Sequence, residues 1–264
     1  MDLRLSNKRA LVTGSTAGIG FAIATSLARE GAEVIINGRT SNGVDQAIAS
    51  LRVDVPLAKL LPFAGDLSQA AAANDLAESY PTVDILVNNL GIFEPKPFEE
   101  IPDEEWLRFF DVNVLSGVRL ARLYLPAMRT ANWGRILFIS SESGVQIPSE
   151  MIHYGVSKTA QIAVARGLAE HLAGTGITVN SILPGPTRSR GVNDFVHALA
   201  TSQGKSGAEF EKEFFEKVRP SSLIQRFATA DEVAAMVTYI ASPLASATTG
   251  AALRVDGGVV RAIL

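Results

Sequence analysis

The sequence contains no cysteine, and this absence excludes several classes of protein. Disulfide bonds, thiolate nucleophiles and sites that hold zinc or an iron–sulfur cluster through cysteine are all ruled out. Histidine is also scarce, because the 264 residues include only three. His153, His171 and His197 lack the close spacing with which a helical pair binds a metal ion, so no metal site is expected.

Excess charge and long apolar runs are missing as well. The net charge of -3 and the pI of about 5.7 create no general attraction to nucleic acid or to an anionic membrane. No segment approaches the roughly 18 consecutive apolar residues of a transmembrane helix. Residues 1–14 enter a strand pattern without the apolar stretch of a secretory signal. These absences predict a cytoplasmic protein whose partner is a small molecule.

What the sequence does contain is an alternation of short apolar runs with amphipathic segments. Runs of strand length cover residues 10–12, 34–36, 60–64, 84–87, 136–139, 177–183 and 252–255, and helical patterns separate them, the longest at 103–130 and 153–174. Continuous apolar strands are typical of a parallel sheet covered on both faces. With no linker or repeat, residues 1–264 are predicted to form one α/β domain, a Rossmann-like doubly wound parallel sheet of about seven strands.

Residues 187–226 interrupt this alternation. They contain no strand pattern and carry more charge than their surroundings. Phe210, Phe214, Phe215 and Val218 fall on one helical face, opposite glutamate and lysine. The segment is therefore predicted to be a small lid of short amphipathic helices, inserted before the last helix at 230–241 and the last strand.

A glycine-rich turn, residues 13–20, joins the first strand to the first helix. Here free backbone N–H groups and the helix dipole attract phosphate, and glycines let it come close. The spacing Gly-x-x-x-Gly-x-Gly differs from the usual Gly-x-Gly-x-x-Gly and lacks the Gly-Lys-Ser/Thr ending of a nucleotide-hydrolysing loop. An ordinary glycine turn is the alternative, but the position in a first βαβ unit favours a dinucleotide.

The end of the second strand, Asn37-Gly38-Arg39-Thr40, bears on which dinucleotide is bound. The carboxylate that binds the ribose of NAD is missing there. Arg39 can pair with a 2′-phosphate, and Asn37 or Thr40 can add a hydrogen bond. NADP(H) is therefore favoured over NAD(H), with a solvated loop arginine as the alternative reading.

Residues 134–158 hold the side chains best suited to proton chemistry. A buried strand delivers Ser140 and Ser141 to its carboxyl end, and Tyr154 and Lys158 share one face of the following helix. Alone, a tyrosine and a lysine four residues apart are usually a solvated surface pair. Their place at the sheet edge where open α/β folds bind ligands makes this stretch the candidate reaction centre.

Taken in order, these motifs resemble the short-chain dehydrogenase/reductase family over nearly the whole chain. Besides residues 13–20, the similar segments are Gly65-Asp66-Leu67, Asn88-Asn89-Leu90-Gly91, Pro184-Gly185-Pro186-Thr187 and Val255-Asp256-Gly257-Gly258. Leu90 departs from the family's usual alanine. The resemblance, with Arg39 added, implies that the cofactor contacts are Gly14, Ser15, Thr16, Gly18, Ile19, Gly20, Arg39, Asp66, Leu67, Asn89, Gly91, Tyr154, Lys158, Pro184, Gly185 and Thr187.

The resemblance also implies a catalytic set of Asn113, Ser141, Tyr154 and Lys158. Hydride would move between the nicotinamide and a carbonyl carbon while Tyr154 gives a proton to the carbonyl oxygen. Lys158 would lower the pKa of this phenol and hold the nicotinamide ribose, and Ser141 would stabilise the developing charge. Asn113 would help to hold a water that relays protons to Lys158. Ser140 is expected to be a hydrogen-bonded residue at the strand end.

The substrate is left open between a 3-oxoacyl thioester and a sugar, polyol or steroid alcohol. Phe93, Gln146, Ile147, His153 and residues 187–195 are expected to surround the pocket. Arg188 and Arg190 either attract an anionic carrier, such as acyl carrier protein or coenzyme A, or are solvated. The alternative function is an NADP(H)-binding sensor without turnover. The resemblance further suggests a homo-oligomer, a tetramer or dimer, that packs through the helices at 103–130 and 154–174.

Overall fold

The structure, a computed structural model, describes residues 2–188 and 206–263. Seven parallel strands form one sheet in the order β3-β2-β1-β4-β5-β6-β7. They are β1 (Arg9–Val12), β2 (Glu33–Gly38), β3 (Lys59–Ala64), β4 (Ile85–Asn88), β5 (Gly134–Ile139), β6 (Ile177–Pro184) and β7 (Ala252–Val255). The predicted doubly wound sheet is confirmed, because each strand lies where an apolar run predicted it.

Helices cover both faces of this sheet. The α-helices of the described residues are α1 (Gly18–Arg29), α2 (Ser41–Asp54), α3 (Ala70–Ser79), α4 (Asp103–Phe110), α5 (Ser116–Ala131), α6 (Ile152–His171), α7 (Gly207–Glu213) and α8 (Ala230–Ile240). Within the described ranges, none is both long and apolar enough to cross a membrane.

Two clusters of buried apolar side chains form the core, one on each side of the sheet. Val12 packs with α1, α2 and α8 in the first cluster, whereas the neighbouring Leu11 packs with α3, α5 and α6 in the second. Successive residues of a strand point to opposite faces, so both faces of β1 are buried. This explains why the strands read as continuous apolar runs.

The strand order reverses between β1 and β4, which are neighbours in the sheet. The strands that follow β1 in sequence are added on one side of this pair, and those that follow β4 are added on the other side. The crevice at the carboxyl ends of such strands is the usual ligand site of a doubly wound sheet. The glycine turn after β1, Asn89 after β4 and Ser141 after β5 all lie along this edge. The fold therefore gathers segments that are far apart in sequence.

The helix predicted at 103–130 is not one regular α-helix. A π-helical turn, Asp111–Leu115, separates α4 from α5 and contains Asn113. Such turns insert an extra residue into the helix and are frequent at functional sites. Apolar periodicity at 3.6 residues does not reveal the insertion, because helical hydrogen bonding continues through it.

The described part of the predicted lid contains helical structure, as expected. α7 is followed by a second π-helical turn, Phe214–Val218. The rings of Phe214, Phe215 and Phe227 pack with centroids 5.1 Å apart. Arg190 and residues 189–195, which were expected near the pocket, lie outside the described residues.

Candidate active site

The glycine turn leaves the amino end of α1 open to a ligand. Gly14 and Gly18 have φ angles of +62° and +57°, the left-handed region that favours glycine. α1 begins at Gly18, and its N-cap residue, Ala17, makes no side-chain capping hydrogen bond. The first-turn N–H groups of a helix have no partners within the helix. They are therefore available to an anionic group such as phosphate.

Asn89 holds the glycine turn against the end of β4. Its Nδ2 donates to the main-chain oxygen of Thr13 at 2.9 Å, and its own N–H donates to Thr13 Oγ1 at 2.9 Å. A Cβ atom on Gly20 would lie 2.5 Å from the same Nδ2. Glycine is therefore required at position 20 for this close approach of α1 to Asn89.

The segment after β2 places Arg39 at the surface and Asn37 inside. Arg39 is exposed. Asn37 Oδ1 accepts from the N–H of Gly14 at 3.0 Å, and its Nδ2 donates to the main-chain oxygen of Gly65 at 3.1 Å. Of the two residues expected to assist Arg39 with a phosphate, Asn37 does not fit, because its amide already holds the turn. Thr40 Oγ1 caps α2 by accepting from an N–H and still has a proton to donate.

The other predicted cofactor residues lie at the carboxyl ends of β3 and β6. Asp66 is exposed, and its Oδ1 accepts from the hydroxyl of Ser68 at 2.8 Å. Leu67 is 1% exposed, so only its main chain can meet a ligand. Thr187 donates through Oγ1 to the main-chain oxygen of Gly185 at 2.9 Å, which shapes the turn after β6.

Ser141, Tyr154 and Lys158 line one cavity of about 510 Å³ at this edge of the sheet. Six further residues of the predicted cofactor set line the same cavity: Ile19, Asn89, Gly91, Pro184, Gly185 and Thr187. The three candidate catalytic side chains and these cofactor positions therefore share one space. Asn113 does not belong to the cavity wall.

Lys158 is buried at the base of the cavity, with 5% of its surface exposed. Its Nζ donates to the main-chain oxygen of Ile139 and to Gln161 Oε1, both at 3.0 Å. Burial lowers its pKa to about 7, because an ammonium group loses hydration in the interior. A Cβ atom on Gly91 would lie 3.3 Å from Nζ, so glycine keeps this approach open.

Tyr154 differs from expectation in the direction of its pKa. Its ring centroid lies 5.7 Å from Lys158 Nζ. Burial and the negative charge of Glu142 nevertheless raise the pKa of the phenol, outweighing a hydrogen bond with Ser141 and the charge of Arg219. The expectation that Lys158 lowers the pKa of Tyr154 is wrong for this arrangement. The Lys158 Nζ donates its hydrogen bonds to Ile139 and Gln161, whereas the negative charge of the Glu142 carboxylate raises the pKa of the phenol.

Asn113 is tied into a network below the cavity. Its Nδ2 donates to the main-chain oxygen of Ile92 at 3.0 Å and to Ser157 Oγ at 2.9 Å. Its main-chain oxygen accepts from Gln161 Nε2 at 2.7 Å. Gln161 thus connects Asn113 and Lys158 directly. An amide side chain has no readily titrated proton, so this link holds Lys158 in position, and the proton-relaying water at Asn113 stays a prediction.

Three charged residues that sequence reasoning missed also belong to the cavity wall: Glu142, Glu150 and Arg219. The hydroxyl of Ser141 donates to Glu142 Oε2 at 2.5 Å. Arg219 donates through Nε to Glu142 Oε1 at 3.3 Å and through an Nη to Glu150 Oε1 at 2.9 Å. The only sequence signal was the adjacency of Glu142 to Ser141. We call these three residues the acid–arginine cluster.

The predicted pocket wall is partly wrong. Phe93 does line the cavity, and its ring lies 6.3 Å from that of Tyr154. Gln146 and Ile147 are exposed instead and do not line the cavity. The Ile147 side chain lies instead against Gly155 of α6, where a Cβ atom would come within 2.7 Å of it.

His153 lies in the protein interior. It is 1% exposed, and its ring lies 4.1 Å from that of Phe109 and 6.0 Å from that of Trp106. Burial lowers its pKa. The expectation that it lines the pocket is wrong, because it precedes Tyr154 directly on α6 and so points to another side of the helix.

Two further expectations concern Ser140 and Arg188. Ser140 is the expected structural residue, since its hydroxyl donates to the main-chain oxygen of Lys158 at 2.8 Å. Arg188 forms an ion pair with Glu211 of α7.

Across the described residues, no three histidine, aspartate or glutamate side chains group closely enough to hold a metal ion.

Comparisons with known proteins agree with this architecture. A family model described as enoyl-(acyl carrier protein) reductase matches residues 14–260. The uncharacterized oxidoreductase YvaG of Bacillus subtilis is 50% identical over 263 residues, covering 100% of both chains. D-beta-hydroxybutyrate dehydrogenase of Cupriavidus necator is 34% identical, with 97% of this chain and 99% of that protein covered. The chain belongs to the short-chain dehydrogenase/reductase family of oxidoreductases.

A solved structure is similar over its full length. It is L-sorbose reductase from Gluconobacter frateurii, complexed with NADPH and L-sorbose. The TM-score is 0.93 at 30% sequence identity, and 100% of each chain is covered.

Proposed function

We propose that the protein is an NADP(H)-dependent oxidoreductase that transfers hydride between the nicotinamide ring and a carbonyl or alcohol substrate. The observation that carries the proposal is the meeting of Ser141, Tyr154 and Lys158 in one cavity beside the glycine turn. Similarity to a reductase whose structure contains NADPH supports this choice of cofactor.

The residues present fit a dinucleotide. The uncapped amino end of α1 suits its phosphates, and the cavity joins Gly91 to the turn after β6. The exposed guanidinium of Arg39 suits a 2′-phosphate. When bound, the cofactor supplies or accepts the hydride. Lys158 would hold its ribose, as the family resemblance implies.

Tyr154 acts as the proton donor in the direction of carbonyl reduction. A phenol with its ordinary pKa of about 10 already holds its proton at neutral pH, and burial and Glu142 raise the pKa of Tyr154 further, so the proton to be donated is present in the folded protein. Ser141, whose Oγ is held by Glu142 and by the N–H of Ser143, is hydrogen-bonded to the phenol. The proton on Tyr154 passes to the substrate oxygen as the carbonyl carbon becomes an alcohol carbon.

Replacing Tyr154 with phenylalanine tests this role. The change deletes the acid and nearly preserves the volume, so NADPH-dependent reduction should fall about 10²–10⁴-fold. Cofactor binding, followed by quenching of tryptophan fluorescence, should be retained. Near-normal turnover in the variant would exclude Tyr154 as the acid.

Several classes of carbonyl compound are candidate substrates. The family model carries an acyl carrier protein reductase description, whereas similar proteins act on D-beta-hydroxybutyrate or L-sorbose by name. A panel of 3-oxoacyl thioesters, ketoses, polyols and steroid ketones, read by NADPH or NADH absorbance, would identify the class. Tight NADPH binding without turnover on the whole panel would favour the sensor function instead.

Self-association is also part of the proposal. Phe110 at the end of α4 and Val156 on α6 are exposed apolar side chains, 43% and 44% accessible. These helices belong to the regions through which a tetramer or dimer was expected to form. Light scattering of the purified protein tests this, and a monomeric mass would reject it.

A further inference from the structure

The acid–arginine cluster brings three separate segments to the cavity wall. Glu142 follows β5, Glu150 precedes α6, and Arg219 ends the π-helical turn of the lid. The Arg219 side chain is 12% exposed and that of Glu142 is 6% exposed. The Arg219–Glu142 pair is therefore buried within the site, whereas the Glu150 side chain, 41% exposed, joins Arg219 from the partly solvated side of the cluster.

The cluster carries one more negative than positive charge. Glu142 and Glu150 both bond to the single guanidinium of Arg219. Within the described residues, the only other charged side chain of the cavity wall is Lys158, which is directed at Ile139 and Gln161. Arg188, close to the lid, is paired with Glu211. No described cation of this wall is left to receive a substrate carboxylate.

The rest of the wall gives little screening. Its side chains include Ile92, Phe93, Met151, Phe210, Phe214 and Val218. A charge placed among such groups interacts strongly with nearby charges, because the local dielectric is well below that of water. An anionic substrate would thus meet a net negative cluster and lose hydration at the same time.

We infer that the acid–arginine cluster selects electrically neutral carbonyl substrates that carry hydroxyl groups, and disfavours keto acids of the same shape. Each Glu142 oxygen accepts one hydrogen bond, and an ionised carboxylate oxygen can accept a second. Hydroxyl groups next to the carbonyl can therefore donate to the cluster. This inference rests on the proposed function and names the substrate class of that site.

A matched pair of substrates tests the selection. Acetoacetate and its methyl ester share a carbonyl but differ in charge. We expect the kcat/KM of the ester to exceed that of the acid on the order of 30-fold, the effect of one unit charge several ångströms away at intermediate dielectric. Glu150→Gln removes one negative charge while keeping an oxygen for Arg219, so the ratio should fall about tenfold, chiefly through the KM of the acid.

The matched control is Glu104→Gln, which removes an exposed acid of α4 outside the cavity wall. It should leave the ratio unchanged. An ester-to-acid ratio near one in the wild-type protein, or a ratio that Glu150→Gln does not lower, would overturn the inference.

A binding measurement separates this inference from the proposed function. Saturation-transfer NMR with pentanamide and pentanoate should show stronger binding of the amide, and Glu150→Gln should narrow the difference. If no carbonyl compound is turned over, the proposed function fails while this comparison still decides the charge selection. Equal binding of amide and acid would refute the selection even in an active enzyme.

Discussion

The buried ammonium of Lys158 makes the stability of the protein depend on pH. Burial lowers its pKa from 10.5 to about 7 in the folded chain. Between these values the unfolded chain holds a proton that the folded chain has released. The free energy of unfolding therefore rises with pH across this window, since stability increases wherever the unfolded state binds more protons.

The size of the effect follows from the two values. The pKa of Lys158 is 10.5 in the unfolded chain and about 7 in the folded chain, and this difference can change the free energy of unfolding by at most about 5 kcal/mol. Above about pH 10, Tyr124 and Tyr154 oppose the trend, because burial raises the pKa of both phenols and the unfolded chain loses their protons first. Measurements between about pH 7 and pH 9.5 avoid this opposing effect. Over that range, Lys158 should raise the free energy of unfolding by about 3 kcal/mol.

Replacing Lys158 with methionine removes the charge and keeps a long side chain. Urea unfolding followed by circular dichroism, without added nucleotide, should show a smaller rise of stability with pH in the variant. Gln161 Oε1 loses its donor in Lys158→Met, but this cost does not vary with pH. Lys59→Met, at an exposed position of β3, is the matched control and should behave as the wild-type protein. Equal pH slopes for Lys158→Met and wild type would show that Lys158 stays charged when folded.

Three further changes test separate parts of the structure. Arg39→Asp should lower the preference for NADPH over NADH about 10- to 100-fold, because a carboxylate repels the 2′-phosphate; an unchanged ratio of kcat/KM values would refute the NADP(H) assignment. Gln161→Leu breaks the bridge between Lys158 and Asn113 and should lower the free energy of unfolding by about 1–3 kcal/mol, as buried polar groups lose partners; a loss within error in urea titrations would contradict this. Burial lowers the pKa of His153 from 6.5, so the unfolded chain takes up its proton first and wild type should lose stability as pH falls through this value. The His153→Phe variant should lose less stability over the same pH range. If the melting temperatures of the variant and the wild type fall equally as pH is lowered, the prediction is contradicted.

The main geometry of the site was predictable from local sequence patterns. Apolar runs placed all seven strands, because both faces of the central parallel strands are buried and favour apolar side chains, and the edge strands β3 and β7 are still partly buried. Parallel strands end at one edge, so the turn after β1 and Ser141 after β5 had to lie on the same side. The four-residue spacing of Tyr154 and Lys158 then put phenol and ammonium on one face of α6.

Other features arose only from the packing of distant segments. Glu142 meets Arg219 across 77 residues, and Gln161 reaches the main chain of Asn113 across 48. The direction of the Tyr154 pKa, the inward position of His153 and the exposure of Gln146 depend on the same packing. Periodicity reports which side of its own helix or strand a residue occupies, but not which segment folds over it. The sequence alone therefore determined the sheet and the three side chains at its edge, whereas tertiary contacts decided the charge around them.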